Sequence, residues 1–172
     1  VSAILSRMSP GGITDADPGA LSGIAIIGQS GTAGGTWQYS INNGGTWTNI
    51  ATTGSANSLL LAADSATRVR FQPNAGFVGE PKLAFVAWDR TAGSNGATVN
   101  AGSRGGTTPY STDYENVSIF VNTAPVLNNA GTPQLDVIPV DVPNASNQGT
   151  LVSTILTRMA PLGTITDVDA GA

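Results

Sequence analysis

The side chains with the clearest chemical potential in this sequence are carboxylates, and four of them lie in two copies of one short pattern. Asp15 and Asp17 form an Asp-x-Asp pair ahead of a predicted strand, and Asp167 and Asp169 form a second pair. A loop that offers two carboxylates and backbone carbonyls presents the oxygen ligands that Ca²⁺ requires. The same aspartates could instead cap a turn through their own backbone. The sequence leaves both interpretations open.

Other acidic residues lie where they could join such a loop. Asp89 directly follows the predicted strand Lys82–Trp88, and Asp113 and Glu115 lie at the start of another predicted strand, residues 115–122. Carboxylates from different segments can converge at strand ends without being buried in the core. Asp89 is therefore a candidate ligand. Asp113 and Glu115 are equally compatible with a ligand role and with plain solvated acids.

The residue types that carry most enzymatic chemistry are absent from the sequence. It contains no histidine and no cysteine, which removes the commonest general base, the commonest zinc ligand and all thiol chemistry. Lys82 is the single lysine and heads a predicted strand. We therefore expect that the chain is not an enzyme. Nucleic-acid binding is not expected either, because the seven basic residues are scattered and the net charge is −4.

One tryptophan is a candidate for ligand binding. Residues 42–45, Asn-Asn-Gly-Gly, predict a tight hairpin turn, because Asn and Gly tolerate the positive φ that such turns need. Pairing Ile41 with Thr46 across this turn places Trp37 on one face of the hairpin and Trp47 on the other. Trp47 then either packs under a neighbouring loop or is exposed. An exposed Trp47 could contribute to a shallow carbohydrate- or protein-binding site.

The two ends of the sequence are copies of each other. Residues 1–20 align with residues 152–172, with Thr164 as a single insertion, and 14 of the 20 aligned positions are identical. Val1 corresponds to Val152, so the repeat period is 151 residues. The sequence therefore contains one complete repeat and the opening of the next.

This repeat suggests where one domain ends and the next begins. An apolar run meets a proline near residue 124, and a fresh apolar segment follows it. On this interpretation residues 1–123 form a repeat that lacks its first strand, and residues 124–172 start the next repeat. The alternative is a single fold of 172 residues with a duplicated edge.

Short alternating apolar runs recur along the chain between Gly, Asn and Pro residues. Charged residues make up only 10% of the sequence, but the apolar residues lie in bounded runs, which favours a packed fold over disorder. The predicted strands are Leu21–Ile27, Thr36–Ile41, Thr46–Ile50, Leu59–Leu61, Arg68–Phe71, Lys82–Trp88 and Glu115–Asn122. Strands and turns at this interval predict an all-β fold, a β-sandwich with Greek-key connections.

Three segments depart from this pattern. Val152–Met159 has apolar residues at helical spacing and predicts a single helical turn. Residues 91–109 form a Gly-, Ser-, Thr- and Asn-rich loop of a length that is usually either functional or mobile. A strand near Leu135–Val140 belongs to the second repeat, and a chain framed in this way could donate it to a neighbouring copy.

Five strings, taken in order, resemble a known family. They are ITDADPGALSGIAI, GTWQYSINNGGTW, RVRFQP, AFVAWDRTAG and the NTAPVL junction, which together span nearly the whole chain. They resemble the cadherin-like tandem repeats of very large bacterial adhesins and related secreted proteins. The resemblance implies a cadherin- or immunoglobulin-like β-sandwich, stiffened by calcium, in many copies between a cell-surface anchor and a terminal adhesive domain. It also implies an extracellular location on the bacterial surface.

In cadherin-like repeats the linker between domains also supplies calcium ligands. Asn122, in Asn-Thr-Ala-Pro, matches that linker, although the acidic residues that usually precede it are not present. The resemblance therefore implies one or two ions for each repeat rather than a three-ion junction. The full set of candidate calcium ligands is Asp15, Asp17, Asp89, Asp113, Glu115, Asn122, Asp167 and Asp169.

The expected function is that of a structural extender repeat of a bacterial surface adhesin or fibre. Its expected partners are neighbouring repeats of the same chain, with any cell-surface glycan or protein bound through other domains. The alternatives are a carbohydrate- or protein-binding adhesive module and a strand-donating filament subunit. No membrane span is predicted, because no apolar run approaches the roughly 20 residues that a span needs.

Overall fold

The computed structural model describes residues 1–8, 12–51, 53–167 and 169 of the chain. This part of the chain is all-β, as the strand pattern predicts: its strands form antiparallel sheets, and its α-helices are short. The chain divides into two compact units, Val1–Val121 (unit 1) and Asn122–Ala172 (unit 2). The predicted boundary, between residues 123 and 124, lies two residues further along the chain.

The elements follow one another in a simple order along the chain. They are α1 (Ser2–Leu5), β1 (Gly23–Gln29), β2 (Gly35–Ser40), β3 (Thr48–Asn49), β4 (Ser58–Ala62), β5 (Arg68–Pro73), β6 (Lys82–Trp88), β7 (Thr98–Val99), β8 (Tyr110–Ser118), β9 (Val126–Asn128), α2 (Val152–Met159) and β10 (Thr164–Thr166). Short 3₁₀ turns cover Ser55–Asn57 and Asn144–Ser146. The strands up to β8 belong to unit 1, and the later elements belong to unit 2.

The larger sheet of unit 1 has five strands in the order β7-β4-β1-β6-β8. The inner strands β1 and β6 are apolar because neighbours and packed layers cover both of their faces. Ile24 and Ile26 of β1 face one side of the sheet and Ala25 faces the other, and all three are buried. β8 lies at one edge of the sheet, which leaves one of its sides without a strand in the described part of unit 1.

The smaller sheet of unit 1 has the order β3-β2-β5 and contains the predicted hairpin. Tyr39 lies opposite Thr48, which is the register that pairing Ile41 with Thr46 predicts. Asn43 and Gly44 both have positive φ, 61° and 88°, as the turn requires. β3 itself has two residues, and the N–H of Ile50 also donates to the carbonyl oxygen of Trp37 at 2.8 Å, so this arm begins later than the predicted Thr46.

The main core of unit 1 lies between its two sheets. Ile24 and Phe85 of the larger sheet belong to the same buried cluster as Trp37 and Phe71 of the smaller sheet. The rings of Trp37 and Phe71 meet edge to face with their centres 5.1 Å apart. Val1 is buried in the same cluster, and Ile4, Leu5 and Met8 of α1 and the turn after it pack against it, so one face of this first segment contributes to the core.

A second core lies on the opposite face of the larger sheet, under the connection between β6 and β8. Leu60 and Trp88 of the sheet are buried there with Ala101 of the connection. The indole Nε1 of Trp88 donates a hydrogen bond to the carbonyl oxygen of Ala92, 2.8 Å away. Residues 91–109, predicted to be either functional or mobile, thus form a packed cover that also contributes β7 to the sheet.

The last strand of unit 1 lies earlier in the chain than predicted. The alternation in residues 115–122 predicts a strand with Ile119 and Val121 on the core side, but β8 ends at Ser118. Val121 does pack against the core and bridges to Gly79. Ile119 is 44% exposed, although its N–H still donates to the carbonyl oxygen of Pro81 at 3.1 Å.

Unit 2 contains a two-stranded sheet and one helix. β9 and β10 pair antiparallel, with Leu127 opposite Ile165. α2 has eight residues, so Val152–Met159 forms two turns of helix rather than the predicted single turn. The predicted strand near Leu135–Val140 is wrong: no strand of the described residues pairs with this segment, and Val137 is 95% exposed. No helix among the described residues is long and apolar enough to cross a membrane.

Candidate functional site

The two Asp-x-Asp loops have the same local geometry. In unit 1, Oδ1 of Asp15 accepts a hydrogen bond from the backbone N–H of Asp17 at 2.9 Å. In unit 2, Oδ1 of Asp167 accepts one from the N–H of Asp169, also at 2.9 Å. An aspartate that accepts from the backbone two residues later forms an Asx turn. The capping role that the sequence allows for these aspartates is therefore present in both copies.

Asp169 also holds the first residues of unit 2. Its Oδ2 accepts a hydrogen bond from the backbone N–H of Thr123 at 2.9 Å, and its Oδ1 accepts one from the Thr123 hydroxyl at 3.2 Å. The residue is only 8% exposed, and a buried carboxylate is costly unless it has such donors. We call this contact the Thr123–Asp169 tie. It joins the Asp-x-Asp loop to the Asn-Thr-Ala-Pro junction within unit 2.

The equivalent aspartate of unit 1 has no such tie. Asp17 is exposed, and no described residue donates a hydrogen bond to its carboxylate. The Asn-Thr-Ala-Pro sequence occurs once in the chain, where Nδ2 of Asn122 donates to the carbonyl oxygen of Thr123 at 2.6 Å. The same loop is thus connected to a junction segment in unit 2 and is open in unit 1.

Asp89 caps the turn that follows β6. Its Oδ1 accepts hydrogen bonds from the backbone N–H of Thr91 at 2.8 Å and from the Thr91 hydroxyl at 2.7 Å. Burial and, to a lesser degree, the Asp89 charge raise the pKa of Tyr110. Asp89 therefore lies near a buried tyrosine at the base of the β6–β8 connection, and its carboxylate makes the contacts of a turn cap.

Asp113 and Glu115 lie in the middle of β8 rather than at the start of a strand. Both are exposed, and Glu115 is opposite Phe85 on the neighbouring strand. Oε1 of Glu115 accepts a hydrogen bond from the N–H of Asn116 at 2.8 Å. Asp113 and Glu115 alternate with Tyr114, so both point to the side of the sheet that carries Phe85.

The described residues do not gather the candidate ligands into one centre. Among them, no three acidic, histidine or cysteine side chains lie close enough together to hold a metal ion. Calcium takes six to eight oxygen ligands. Each Asp-x-Asp loop would supply two carboxylates and would need carbonyl oxygens or water for the rest of the coordination sphere.

Comparisons with known proteins give no match. No protein-family model matches the chain, and neither does any curated protein or solved structure. The repeat and the contacts within each unit are therefore the features of this chain that bear on its function.

Trp47, the candidate ligand-binding residue, is half-buried on the hairpin. The guanidinium of Arg70 lies over its ring, 4.0 Å from the ring centre. A cation in this position is attracted to the aromatic face and covers it. Arg70 in turn donates to Oε1 of Gln38 at 2.8 Å, which fixes the guanidinium on the sheet. One face of Trp47 thus packs against its own sheet instead of facing a ligand.

Thr123 is the site residue that the sequence pattern does not reveal. A threonine beside Asn-x-Ala-Pro has no chemical signature of its own, and its partner Asp169 lies 46 residues away in the chain. The nearest signal in the sequence is the repetition of Asp-x-Asp in two copies, of which one follows a junction segment. Such a signal identifies the acceptor but does not identify the donor.

Proposed function

We propose that the chain is a structural extender segment of a bacterial cell-surface adhesin or fibre, built from cadherin-like, Greek-key β-sandwich repeats that lie outside the cell. The 151-residue repeat and the all-β fold support this proposal. In repeat proteins each copy mainly contacts its neighbours, so additional copies add length. The partners are then neighbouring repeats, and other domains contact a surface glycan or protein.

The Thr123–Asp169 tie is the observation that carries this proposal. An extender repeat must hold the chain where it enters, because tension along the fibre acts on that segment. The tie satisfies one carboxylate with two donors from Thr123, and hydrogen bonds to a charged acceptor are stronger than neutral ones. The entering segment is then extended by β9, which pairs with β10. Side-chain and backbone contacts therefore anchor the same short stretch.

Calcium binding at the Asp-x-Asp loops is the second part of the proposal. Asp15 and Asp17 are both exposed and lie two residues apart. The carboxylate of Asp17 accepts no hydrogen bond from any described residue. Asp167 and Asp169 are less available, because Thr123 already donates to both oxygens of Asp169. The fit is partial, since two carboxylates are few for this ion. When bound, calcium would offset the repulsion between neighbouring carboxylates and stabilise the fold by its binding free energy.

A thermal melt in calcium and then in chelator tests the metal part of the proposal. At a calcium concentration a hundred times the dissociation constant, binding adds about 2.7 kcal/mol, which raises the Tm of a domain of this size by several degrees. The matched control is the double variant Asp15→Asn, Asp17→Asn, in which the calcium-dependent part of the shift should be lost. If the melting midpoint is the same in calcium and in chelator for both proteins, calcium binding is excluded and the chain is a spacer without a metal.

A binding assay separates the extender from an adhesive module. We expect no saturable binding of the chain to a glycan array, because Arg70 covers one face of Trp47. Glycan binding that is lost in Trp47→Ala and kept in Trp47→Phe would overturn the extender proposal in favour of carbohydrate recognition. The Phe variant serves as the control because it keeps an aromatic ring on the hairpin.

A further inference from the structure

The connection between β6 and β8 covers one face of the larger sheet with little apolar contact of its own. Within residues 91–109, all of which the structure describes, Ala101 is the one buried residue. Backbone pairing holds the segment instead: the N–H of Gly96 donates to the carbonyl oxygen of Leu60 at 2.8 Å, and the N–H of Leu60 donates to that of Ala97 at 2.9 Å. Segments that bury few apolar groups open at a lower free energy than the core. We call residues 91–109 the cover.

Asn95 fastens the cover to the body of unit 1 through both ends of its carboxamide. Its Oδ1 accepts a hydrogen bond from the backbone N–H of Ala62 at 3.0 Å, and its Nδ2 donates to the hydroxyl oxygen of Thr67 at 2.8 Å. Ala62 and Thr67 are both buried, so a partner lost from either is not replaced by bulk water. The closed cover therefore needs the acceptor and the donor of Asn95 together.

The donor of Asn95 cannot be exchanged for a second acceptor. The hydroxyl of Thr67 has one proton, and it is also hydrogen-bonded to the carboxylate of Asp64. That carboxylate accepts from the backbone N–H of Thr67 as well, at 2.6 Å. Since a carboxylate can only accept, the Thr67 proton is used by Asp64, and the Thr67 oxygen accepts from Asn95. An aspartate at position 95 would supply no donor and would add a second negative charge beside Asp64.

The residue that follows Asn95 is a glycine, which makes the carboxamide chemically labile. Asparagine is a thermolabile residue, and Gly96 has no Cβ to shield its backbone nitrogen. Once that nitrogen gives up its proton to base in the solvent, it can bond to Cγ of Asn95, and the side-chain nitrogen leaves as ammonia with a proton from water. One water molecule then opens the five-membered imide. The product is aspartate or, by attack at the other carbonyl, isoaspartate.

The closed cover blocks this reaction at both reacting groups. The N–H of Gly96 is held by the carbonyl oxygen of Leu60, and the amide group that must leave is held by Thr67. The reaction therefore requires the cover to open. Its rate is then the rate of a free Asn-Gly pair multiplied by the fraction of molecules in which the cover is open.

We propose that Asn95 is a deamidation site whose reaction follows opening of the cover and then keeps the cover open. The product lacks the donor for Thr67 and carries a charge beside Asp64. Isoaspartate also lengthens the backbone, which moves Gly96 out of its pairing with Leu60. The closed position is thereby lost, and the apolar face of the larger sheet beneath the cover becomes exposed. A reversible local opening is converted into a permanent one.

The chain contains one other Asn-Gly pair, Asn43-Gly44, which serves as an internal reference. It lies in the hairpin turn, where Arg68 donates to Oδ1 of Asn43 and the N–H of Gly44 donates to the Ser40 hydroxyl at 2.9 Å. None of these partners belongs to the cover. An aspartate at position 43 would lie against a cation, so the same chemical change has the opposite electrostatic effect there.

Deamidation of the full chain at mildly alkaline pH tests the site. Mass spectrometry of peptide digests at successive times assigns each conversion to Asn95 or to Asn43. We expect Asn95 to react at least about tenfold more slowly in the folded chain than in a synthetic peptide of residues 91–99. Equal rates in the chain and in the peptide would show that the cover does not control the reaction, and would overturn the proposal.

A second variant opens the cover without changing the reacting pair. Arg104 of the cover donates to the Ser55 hydroxyl at 2.7 Å and to the carbonyl oxygen of Ala101 at 3.0 Å. Arg104→Ala removes both hydrogen bonds and should speed the reaction of Asn95 about fivefold. The rate at Asn43 should stay the same. An Asn95 rate that does not rise, or a rise of equal size at Asn43, would contradict control by the cover.

The variant Asn95→Asp reproduces the product and tests its effect. Hydrogen exchange at the amide of Leu60 should be at least about tenfold faster than in the parent, with red-shifted emission from Trp88. The matched control Asn43→Asp should leave both unchanged. Adding Asp64→Asn to Asn95→Asp should slow the exchange again, because it removes the second charge and supplies a donor to the threonine. Exchange as slow in Asn95→Asp as in the parent would overturn the proposal. If Asn95→Asp does not fold, the rates measured in the parent and in Arg104→Ala decide it.

Discussion

Identical residues acquire different surroundings in the two copies of the repeat. Asp17 and Asp169 occupy the same position of the same Asx turn, yet one is exposed and the other is 8% exposed and accepts two hydrogen bonds. The difference comes from the segment that reaches each aspartate, because the local turn is the same. At the scale of single residues, chemistry in this chain is decided by neighbours that are distant in sequence.

Asp64 of unit 1 should make stability depend on pH in the acid range. Burial opposes its charge, but hydrogen bonds from Thr67 and Ala66 and the charge of Arg90 outweigh burial and hold its pKa below 3.8. A lowered pKa in the folded state stabilises the fold above about pH 4. That stability is lost as pH falls through the folded pKa. Asp64→Asn should therefore be less stable than the parent at pH 7, by at most about 1 kcal/mol for a partly exposed group, and should approach it in stability at low pH.

Urea unfolding of both proteins at pH 7 and at pH 3 measures this difference. The advantage of the parent over Asp64→Asn should be smaller at pH 3 than at pH 7, because the stability that the charged carboxylate contributes declines as the pH falls below about 4. A gap that stays constant from pH 7 to pH 3 would show that the asparagine removes packing rather than a charge, and would contradict the prediction.

The aspartate turns could be predicted from the sequence, but their tie could not. Asp-x-Asp at a loop predicts either a turn cap or a metal ligand, and the Asx turns at Asp15 and Asp167 are present. Thr123 and Arg70 act through residues far away in sequence, and no local pattern encodes those contacts. The residue types in the sequence therefore indicated which chemistry the candidate site could have. The residues that contact its aspartates and Trp47 could be identified only from the folded chain.

The composition of the connection between β6 and β8 does not indicate its structural role. Its Gly, Ser and Asn residues are typical of flexible loops, yet Ala101 is fully buried and the backbone of residues 96–97 pairs with Leu60. Glycine is used here because the connection lies directly on the sheet. A Cβ on Gly93, which has φ +85°, would lie 2.4 Å from Cδ1 of Leu60.

Gly93→Ala should destabilise unit 1 more than an equivalent change elsewhere in the same connection. It combines left-handed strain with a clash against Leu60, for a cost of about 2–4 kcal/mol. The control is Gly106→Ala, which has φ +61° but meets nothing within 4 Å, so that it incurs strain of only about 1–2 kcal/mol. Denaturant midpoints measure both. Equal costs in the two variants would mean that the connection does not press on the sheet.

Strand positions were predictable where a strand is buried, and less so at the edges. β6 has the predicted bounds because its sequence is apolar from Leu83 to Trp88 and both of its faces are packed there. β8 is an edge strand with one open side, so residues 110–114 are polar and do not resemble a strand. The Leu135–Val140 segment has the composition of a strand but no partner in unit 2, and a strand requires a partner as well as a pattern.

The whole molecule combines one unit with a complete core and one whose apolar surface is largely exposed. Val1 is 8% exposed in unit 1, whereas its counterpart Val152 is 69% exposed in unit 2. Val1 directly precedes α1 and Val152 begins the equivalent helix α2, but only α1 packs against a core formed by two sheets. Among the described residues of unit 2, Met159 is the one large apolar side chain that is buried. Unit 2 thus has the opening of a repeat without the sheets that would cover it.

We therefore expect the stability of a fragment to depend on whether it contains one complete repeat, rather than on its length. A fragment of residues 122–172 should show no cooperative unfolding, because small units with exposed apolar surface bury too little to offset chain entropy.

A rearranged chain tests the same idea in the opposite direction. In it, residues 21–121 follow residue 172, which restores one complete repeat because Ala172 corresponds to Ala20. That rearranged chain supplies Val152 and its helix with the core that buries Val1 and α1 in unit 1. It should unfold in one cooperative step, at a higher denaturant midpoint than residues 1–121 alone, because it contains β9 as well. Residues 1–121 serve as the control, since both buried clusters of unit 1 lie within them. A rearranged chain that melts below this control would mean that residues 122–172 do not pack as their counterparts do, and would contradict the repeat assignment.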